Sequence, residues 1–216
     1  MLEKVRKIFT ERNSREAFFQ VVDRFFPKGN ADYRLIEQAY STAKDAFREI
    51  ERENGERYFE HLRAVALILM VYLRVRDANA IAAALLHDIV EDIPGWNQER
   101  LAVEFSQTVA EYVWWVSKPS LDRFGGNKEA RNRAYHQTLG QAPRMPLLIK
   151  LCDRLHNLLT LWDTPLAKQK RKVQETQDFY LSIAEAQIVL IHEMEAAINE
   201  IVASWKKEPV VASATE

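Results

Sequence analysis

The sequence AALLHDIVEDIP, which spans residues 83–94, decides the fold of this chain because it joins a core-like helix to a polar cluster. Its first four residues are apolar, and four side chains able to bind a metal or move protons follow them: His87, Asp88, Glu91 and Asp92. Acidic residues at the C-terminal end of a helix oppose its dipole, and charges beside a core are costly unless they are paired or bind a metal. The pattern therefore indicates a functional site. The alternative is a helix that simply frays into solvent.

The composition of the 216-residue chain is that of a soluble, mostly helical globular protein, with 47% apolar and 28% charged residues. A net charge of −1 provides no electrostatic footprint for nucleic acid or an anionic membrane. The single cysteine, Cys152, rules out an internal disulfide and fits a reducing compartment. The sequence shows neither a signal peptide nor an apolar run long enough to span a bilayer. We therefore expect a cytoplasmic protein without nucleic-acid or membrane partners, whose oligomeric state the sequence leaves open.

Apolar residues recur at spacings of three and four along nearly the whole chain, which predicts an all-α fold. One or two amphipathic helices are expected before residue 26, and Asp32 and Asp77 are the expected N-caps of two later helices. The longest irregular stretch inside the chain is residues 117–127, a kind of segment that often carries function. The remaining helices are predicted at residues 32–47, 58–73, 78–90, 96–105, 109–116, 128–139, 146–161 and 166–206, and the sequence leaves open whether the last of them is broken.

We expect these helices to form a single-domain helical bundle, because no linker separates the polar candidates. Residues 1–30 are interpreted as an N-terminal helical extension packed on the domain, which itself covers residues 31–206. Residues 207–216 are interpreted as a flexible tail.

Two further polar side chains interrupt helices that otherwise look buried. His61 lies in the apolar helix predicted at residues 58–73, where an isolated imidazole needs a partner and is usually a satisfied core histidine. Asp153 lies in another apolar run, and its alternative interpretation is a salt bridge with Lys150 or Arg154.

Together with the His-Asp doublet, these residues offer two imidazoles and two carboxylates from three separate helices. Nitrogen and oxygen donors without a thiolate suit Mn²⁺, with Fe²⁺ and Zn²⁺ as alternatives. A bound metal lowers the pKa of water and neutralises phosphate charge, and a nearby carboxylate is needed to orient or deprotonate that water. The candidate metal ligands are His61, His87, Asp88 and Asp153, and the candidate acid–base pair is Glu91 and Asp92.

In this order the residues resemble the HD-domain phosphohydrolase superfamily and, within it, the hydrolase domain of RelA/SpoT proteins. Residues 85–92, LLHDIVED, match the family's HDxxED motif. Residues 149–161, IKLCDRLHNLLTL, match the segment with the last metal aspartate, and residues 52–61, RENGERYFEH, resemble the segment with the base-contacting arginine and first metal histidine. The resemblance covers about residues 30 to 190.

The resemblance implies an all-α domain of the HD type, similar to a stand-alone small alarmone hydrolase. Its reaction would be Mn²⁺-dependent hydrolysis of the 3′-pyrophosphate of ppGpp or pppGpp, which yields GDP or GTP and pyrophosphate. Besides the metal ligands and the acid–base pair, the resemblance implies four nucleotide-binding residues: Arg52, Asn157, Thr160 and Tyr180.

Two departures from the family pattern, Glu53 and Leu159, lie where the nucleotide base would be read. The choice between a guanine alarmone and an adenine alarmone, (p)ppApp, therefore stays open. Two other functions also remain as alternatives: an HD-family phosphohydrolase acting on another nucleotide, and a non-catalytic module that senses a nucleotide.

Overall fold

The structure, a computed structural model, describes residues 1–205, and this part of the chain is helical and contains no β-strand. The predicted all-α, single-domain fold is confirmed. In chain order the α-helices are α1 Leu2–Thr10, α2 Arg15–Asp23, α3 Ala31–Ala46, α4 Tyr58–Leu67, α5 Ala78–Leu86, α6 Ile89–Asp92, α7 Gln98–Glu104, α8 Gln107–Val116, α9 Lys128–Leu139, α10 Arg144–Leu159, α11 Leu166–Glu175, α12 Leu181–Gln187 and α13 Ile191–Trp205.

The centre of the molecule is formed by α4 and α5, which pack against each other and against α3 and α10. Helix α5 is apolar on nearly every side, and every side chain from Ala80 to Leu86 is fully buried. A helix that is apolar all round belongs in a core. Helix α4 continues into a π-helical turn, Ile68–Tyr72, so the predicted helix at residues 58–73 is one continuous buried element.

The predicted helix at residues 78–90 is wrong in one respect, because α5 ends at Leu86 and α6 begins at Ile89. The Asp77 cap is confirmed, since its side chain accepts a hydrogen bond from the Ala80 amide. In an unbroken helix, consecutive side chains do not face each other. The break at His87 and Asp88 instead brings their Nε2 and Oδ2 atoms to 3.1 Å from each other.

The structure also corrects one helix cap and decides one helix boundary that the sequence left open. The cap of α3 is Asn30, whose side chain accepts from the Tyr33 amide at 2.7 Å, and the expected cap Asp32 lies inside the first turn. The sequence left open whether the last predicted helix is broken, and within residues 166–205 the structure divides it into α11, a π-helical turn at Thr176–Tyr180, α12 and α13. Helix α12 ends at Gln187, and the following residue, Ile188, has a left-handed backbone with φ of 56°.

Helix α1 packs across α4, its π-helical turn and α13. Val5 and Ile8 are buried in this contact, and Arg6 pairs with Glu200 at 2.5 Å. The division between residues 1–30 and 31–206 stays a prediction, and the predicted tail at residues 207–216 lies outside the described residues. Among residues 1–205, no helix combines the length and apolar character needed to cross a bilayer.

Candidate metal centre and nucleotide site

The fold brings the four predicted metal ligands together at the middle of the bundle. His61 comes from α4, His87 and Asp88 from the break after α5, and Asp153 from α10. Oδ1 of Asp153 lies 3.2 Å from Nε2 of His61 and 3.8 Å from Nε2 of His87. The ligand atoms of His61, His87 and Asp88 all lie within 4.8 Å of one another.

The ligand atoms of these four side chains suit a divalent cation. Nε2 of His87 is buried and makes no hydrogen bond, although Oδ2 of Asp88 is only 3.1 Å away. A buried imidazole nitrogen and a carboxylate oxygen that lie close together without a hydrogen bond are typical of side chains that coordinate the same metal ion. Imidazole nitrogens and carboxylate oxygens without a thiolate fit Mn²⁺, Fe²⁺ or Zn²⁺.

Both metal-site histidines are oriented through their second ring nitrogen, as is usual for metal ligands. Nδ1 of His87 lies 2.9 Å from the Ala84 carbonyl, so the N–H is on Nδ1. Nδ1 of His61 lies 2.9 Å from Nδ1 of His156, and burial lowers the pKa of both rings. Because both rings are neutral, one N–H is shared between them, and Nε2 of His61 is left free as a ligand.

His156 had no assigned role in the sequence. The signal that could have identified it is its spacing of three residues from Asp153, which places both on one helix face.

The two carboxylates of the centre are held by neighbouring donors. The Tyr58 hydroxyl donates to Asp88 at 2.7 Å. Lys150 lies 2.8 Å from Oδ2 of Asp153, so the salt bridge considered from sequence exists, while Oδ1 faces the histidines. Burial opposes ionisation of Asp153, but the Lys150 ammonium holds the pKa of this carboxyl well below its usual range.

The same two carboxylates also affect the protonation of His87. Burial opposes protonation of this imidazole, but Asp88 and Asp153 raise its pKa to about 10.

The predicted acid–base pair lies on the short helix α6, one turn after the His-Asp doublet. Glu91 is fixed by Lys118, whose backbone N–H donates to Oε1 at 2.8 Å and whose Nζ lies 3.7 Å from Oε2. Partial desolvation and the nearby carboxylates of Asp88 and Glu91 raise the pKa of Asp92 to about 6. A carboxylate with a pKa near neutral pH suits proton transfer.

Three of the four predicted nucleotide-binding residues form one hydrogen-bonded network. Arg52 donates from Nη1 to Thr160 at 3.0 Å and from Nη2 to Asn157 at 2.8 Å. Asn157 in turn donates to Asp153, so this network is joined to the metal centre. Arg52 is positioned by a closed turn, in which its amide donates to the Glu56 carbonyl at 2.8 Å and Gly55 has a φ of 77°.

The fourth residue, Tyr180, lies apart from this network. Its side chain is fully buried, and the Arg154 guanidinium lies 3.9 Å from its ring centroid. Arg154 also lies 3.1 Å from Glu175, which is 3.4 Å from His136. Tyr180 packs within a group of four residues that we name the Glu175 cluster: His136, Arg154, Glu175 and Tyr180. Its role in nucleotide binding stays a prediction.

Two histidines and two aspartates that meet at the junction of three helical segments define a metal-binding helical domain. The family model described as HD domain matches residues 39–189, and the chain belongs to this family. The predicted resemblance to RelA/SpoT hydrolases is confirmed by individual relatives. The bifunctional (p)ppGpp synthase/hydrolase SpoT of Escherichia coli K12 is 33% identical over 189 residues, which are 86% of this chain and 26% of SpoT.

A second relative and a solved structure agree with this assignment. The guanosine-3′,5′-bis(diphosphate) 3′-pyrophosphohydrolase of Haemophilus influenzae is 38% identical over 145 residues, 66% of this chain and 21% of that enzyme. The chain thus spans about a quarter of the length of these curated relatives. The structure of a metazoan ortholog of SpoT that hydrolyzes ppGpp matches with a TM-score of 0.60 and 26% identity, covering 82% of this chain and 96% of that one.

Proposed function

We propose that this protein hydrolyses the 3′-pyrophosphate of a guanosine alarmone such as ppGpp, and that Mn²⁺ is its cation. The observation that carries the proposal is the buried centre of two histidines and two aspartates, joined through Asn157 to the Arg52 network. The 3′-pyrophosphohydrolase activity in the names of the relatives supports the same reaction.

His61, His87, Asp88 and Asp153 would hold the cation, which when bound lowers the pKa of a water and neutralises phosphate charge. The surrounding residues keep these four side chains in place before substrate arrives. Lys150 compensates one of the two aspartate charges, and His156 orients His61. Such preorganisation avoids rearrangement during the reaction.

Asp92 is the proton acceptor in this proposal, because its pKa of about 6 leaves it mostly ionised at neutral pH yet basic enough to take a proton. Glu91 is held by Lys118 and orients the same water. The water oxygen bonds to phosphorus, and the bond from phosphorus to the ribose 3′ oxygen breaks. That oxygen then takes the proton, and one water is consumed for each pyrophosphate released.

Arg52 binds the base in this proposal. Its two terminal nitrogens are engaged by Thr160 and Asn157, so the guanidinium plane is fixed and a face is available for stacking. Glu53 is paired with Lys168 at 2.8 Å and Leu159 is buried, so neither contributes a free polar group that selects guanine over adenine. For this reason ppApp is the second substrate to test.

The test is release of pyrophosphate from ppGpp and ppApp, each with Mn²⁺ and with a chelator, beside an Asp88→Ala variant. We expect metal-dependent release that the variant lacks. If the folded, Mn²⁺-loaded protein releases pyrophosphate from neither compound, the proposal fails. Turnover of a different nucleotide would then identify another HD phosphohydrolase, and binding without turnover would identify a sensing module.

A further inference from the structure

A cleft of about 770 Å³ opens beside the acid–base pair and shares only Glu91 and Lys118 with the site described above. Its walls come from α8, from α9 and from the segment between them, which contains a 3₁₀ turn at Leu121–Phe124. Three cationic side chains line it, Lys118, Arg123 and Arg131, against a single carboxylate, Glu91. The cleft therefore has an excess of positive charge in a protein whose net charge is −1.

The charge of the two arginines is not compensated within the part of the chain that the structure describes. Lys118 pairs with Glu91, but no carboxylate of residues 1–205 lies within 4.0 Å of the guanidinium of Arg123 or Arg131. Nε of Arg131 is buried and has no hydrogen-bond partner among these residues. A buried polar group without a partner is costly, so the cleft is suited to an anion that supplies acceptor oxygens.

The cleft shares a wall with the metal centre. Tyr135 lines the cleft, and the Lys118 ammonium lies 5.3 Å from the centroid of its ring. The Lys150 ammonium lies 5.7 Å from the same ring centroid and 2.8 Å from Asp153. Glu91 also lines the cleft and lies on α6 three residues after Asp88, so the cleft adjoins the metal centre on this side.

Helix α10 sets the order of the three parts of the site. Lys150, Asp153 and Thr160 follow one another along it, over roughly 15 Å at 1.5 Å per residue. The Arg52 network lies at the Thr160 end, the metal centre at Asp153, and the cleft beyond Lys150. A nucleotide with its base at Arg52 and its reacting phosphorus at the metal centre thus directs the departing phosphates toward the cleft.

We propose that this cleft binds the pyrophosphate arm of the substrate and retains inorganic pyrophosphate after cleavage, with Arg123 and Arg131 as the specificity-determining contacts. The role in turnover rests on the proposed function, whereas the affinity for inorganic pyrophosphate does not. The forked donors of a guanidinium match phosphate oxygens in pairs. Lys118, which pairs with Glu91, is the third cationic side chain of this binding site.

The first experiment is calorimetric titration of inorganic pyrophosphate into the full-length, metal-free chain in the presence of a chelator. Wild type is compared with Arg123→Gln, Arg131→Gln and the double variant. We expect each single substitution to weaken binding about tenfold or more, the usual range for a hydrogen bond to a charged group. Arg133→Gln is the matched control, because Arg133 is exposed on the same helix and does not line the cleft.

The second experiment measures inhibition of the Mn²⁺-loaded enzyme by added pyrophosphate. We expect the inhibition constant to rise in the Arg123 and Arg131 variants, and Arg52→Gln to raise KM for ppGpp without changing the affinity for pyrophosphate. Unchanged pyrophosphate affinity in the double variant would overturn the cleft assignment, as would an equal loss in Arg133→Gln. Because Arg123 is exposed, its single variant keeps the test valid even if Arg131→Gln fails to fold.

Loss of pyrophosphate affinity in the double variant, in a protein that hydrolyses no alarmone, would support the cleft and remove the proposed function. Alarmone hydrolysis together with unchanged pyrophosphate affinity in the double variant would support the proposed function and overturn the cleft assignment. Each proposal can therefore fail without the other.

Discussion

Asp153 and Arg154 are neighbours on α10 and both are buried, yet they belong to two charged regions of opposite character. Around Asp153, the donor atoms of the metal centre approach one another closely, and Nε2 of His87 makes no hydrogen bond. Around Arg154, the Glu175 cluster supplies both a carboxylate and an aromatic ring to the cation. In the first region two carboxylates face one ammonium, that of Lys150, whereas in the second the guanidinium of Arg154 is paired with Glu175. Buried polar atoms without a hydrogen-bond partner occur in both regions, so the balance of charge is what separates them.

The pKa shifts of His87 and Glu175 reflect this difference between the two regions. In the metal centre, burial opposes protonation of His87, but the carboxylates of Asp88 and Asp153 raise its pKa to about 10. In the Glu175 cluster, burial opposes ionisation, but His136 and Arg154 hold the pKa of Glu175 well below its usual value of 4.5. Buried charge thus marks a functional site only where the protein itself does not supply the counter-charge.

The largest effect is expected from Asp88→Asn, which removes a metal ligand while keeping the size of the side chain. Activity should fall by about 10³-fold or more, because the charge stabilisation supplied by a catalytic cation amounts to several kcal/mol. Pyrophosphate release and thermal unfolding should be measured on the same samples, with the exposed Asp163→Asn as control. Substantial remaining activity in the variant would mean that Asp88 is not a ligand.

Glu175→Gln tests the other region. It should lower the free energy of unfolding by about 3 kcal/mol, since it leaves Arg154 buried without its counter-charge, while Mn²⁺ affinity should be unchanged. Because folding lowers the pKa of Glu175, its stabilisation is present above pH 4.5 and is lost as the pH falls below that value.

Denaturant titrations at pH 7 and pH 4 would measure this effect, with the exposed Glu185→Gln as control. A loss of Mn²⁺ affinity in Glu175→Gln would show that the two regions are not independent.

His156→Ala should reduce Mn²⁺ affinity about 10- to 100-fold, the usual effect of removing a residue that orients a metal ligand. The change leaves Nδ1 of His61 without its partner. Calorimetric titration with Mn²⁺ measures the effect, and the exposed His192→Ala is the control. If only the stability fell, His156 would be a core histidine and not a positioning residue.

The pH dependence of kcat should show the smallest and most specific effect. If Asp92 must be ionised, kcat falls about tenfold per pH unit below about pH 6 and is flat above it. Glu91 raises the pKa of Asp92, so Glu91→Gln should move the midpoint to lower pH even though it also lowers the plateau rate. A midpoint that stays in place in this variant would exclude Asp92 as the titrating group.

Much of the site was predictable because its signals are local. Helical periodicity indicated the all-α fold, and the Asp77 cap and the α9 boundaries agree with the structure. Polar side chains inside apolar helices identified His61 and Asp153, since burial of such a group requires a partner. Motif spacing also identified Arg52, Asn157 and Thr160, which the structure joins in one network.

Only the packing of the helices decided the rest, because contacts between distant segments leave no periodic signal in the sequence. The break after Leu86, the pairing of His61 with His156 across 95 positions, and the burial of Tyr180 under Arg154 all depend on tertiary contacts. The residue types determined which chemistry the chain can perform. The packing of α4, α5 and α10 against one another determined which of those side chains meet at one point.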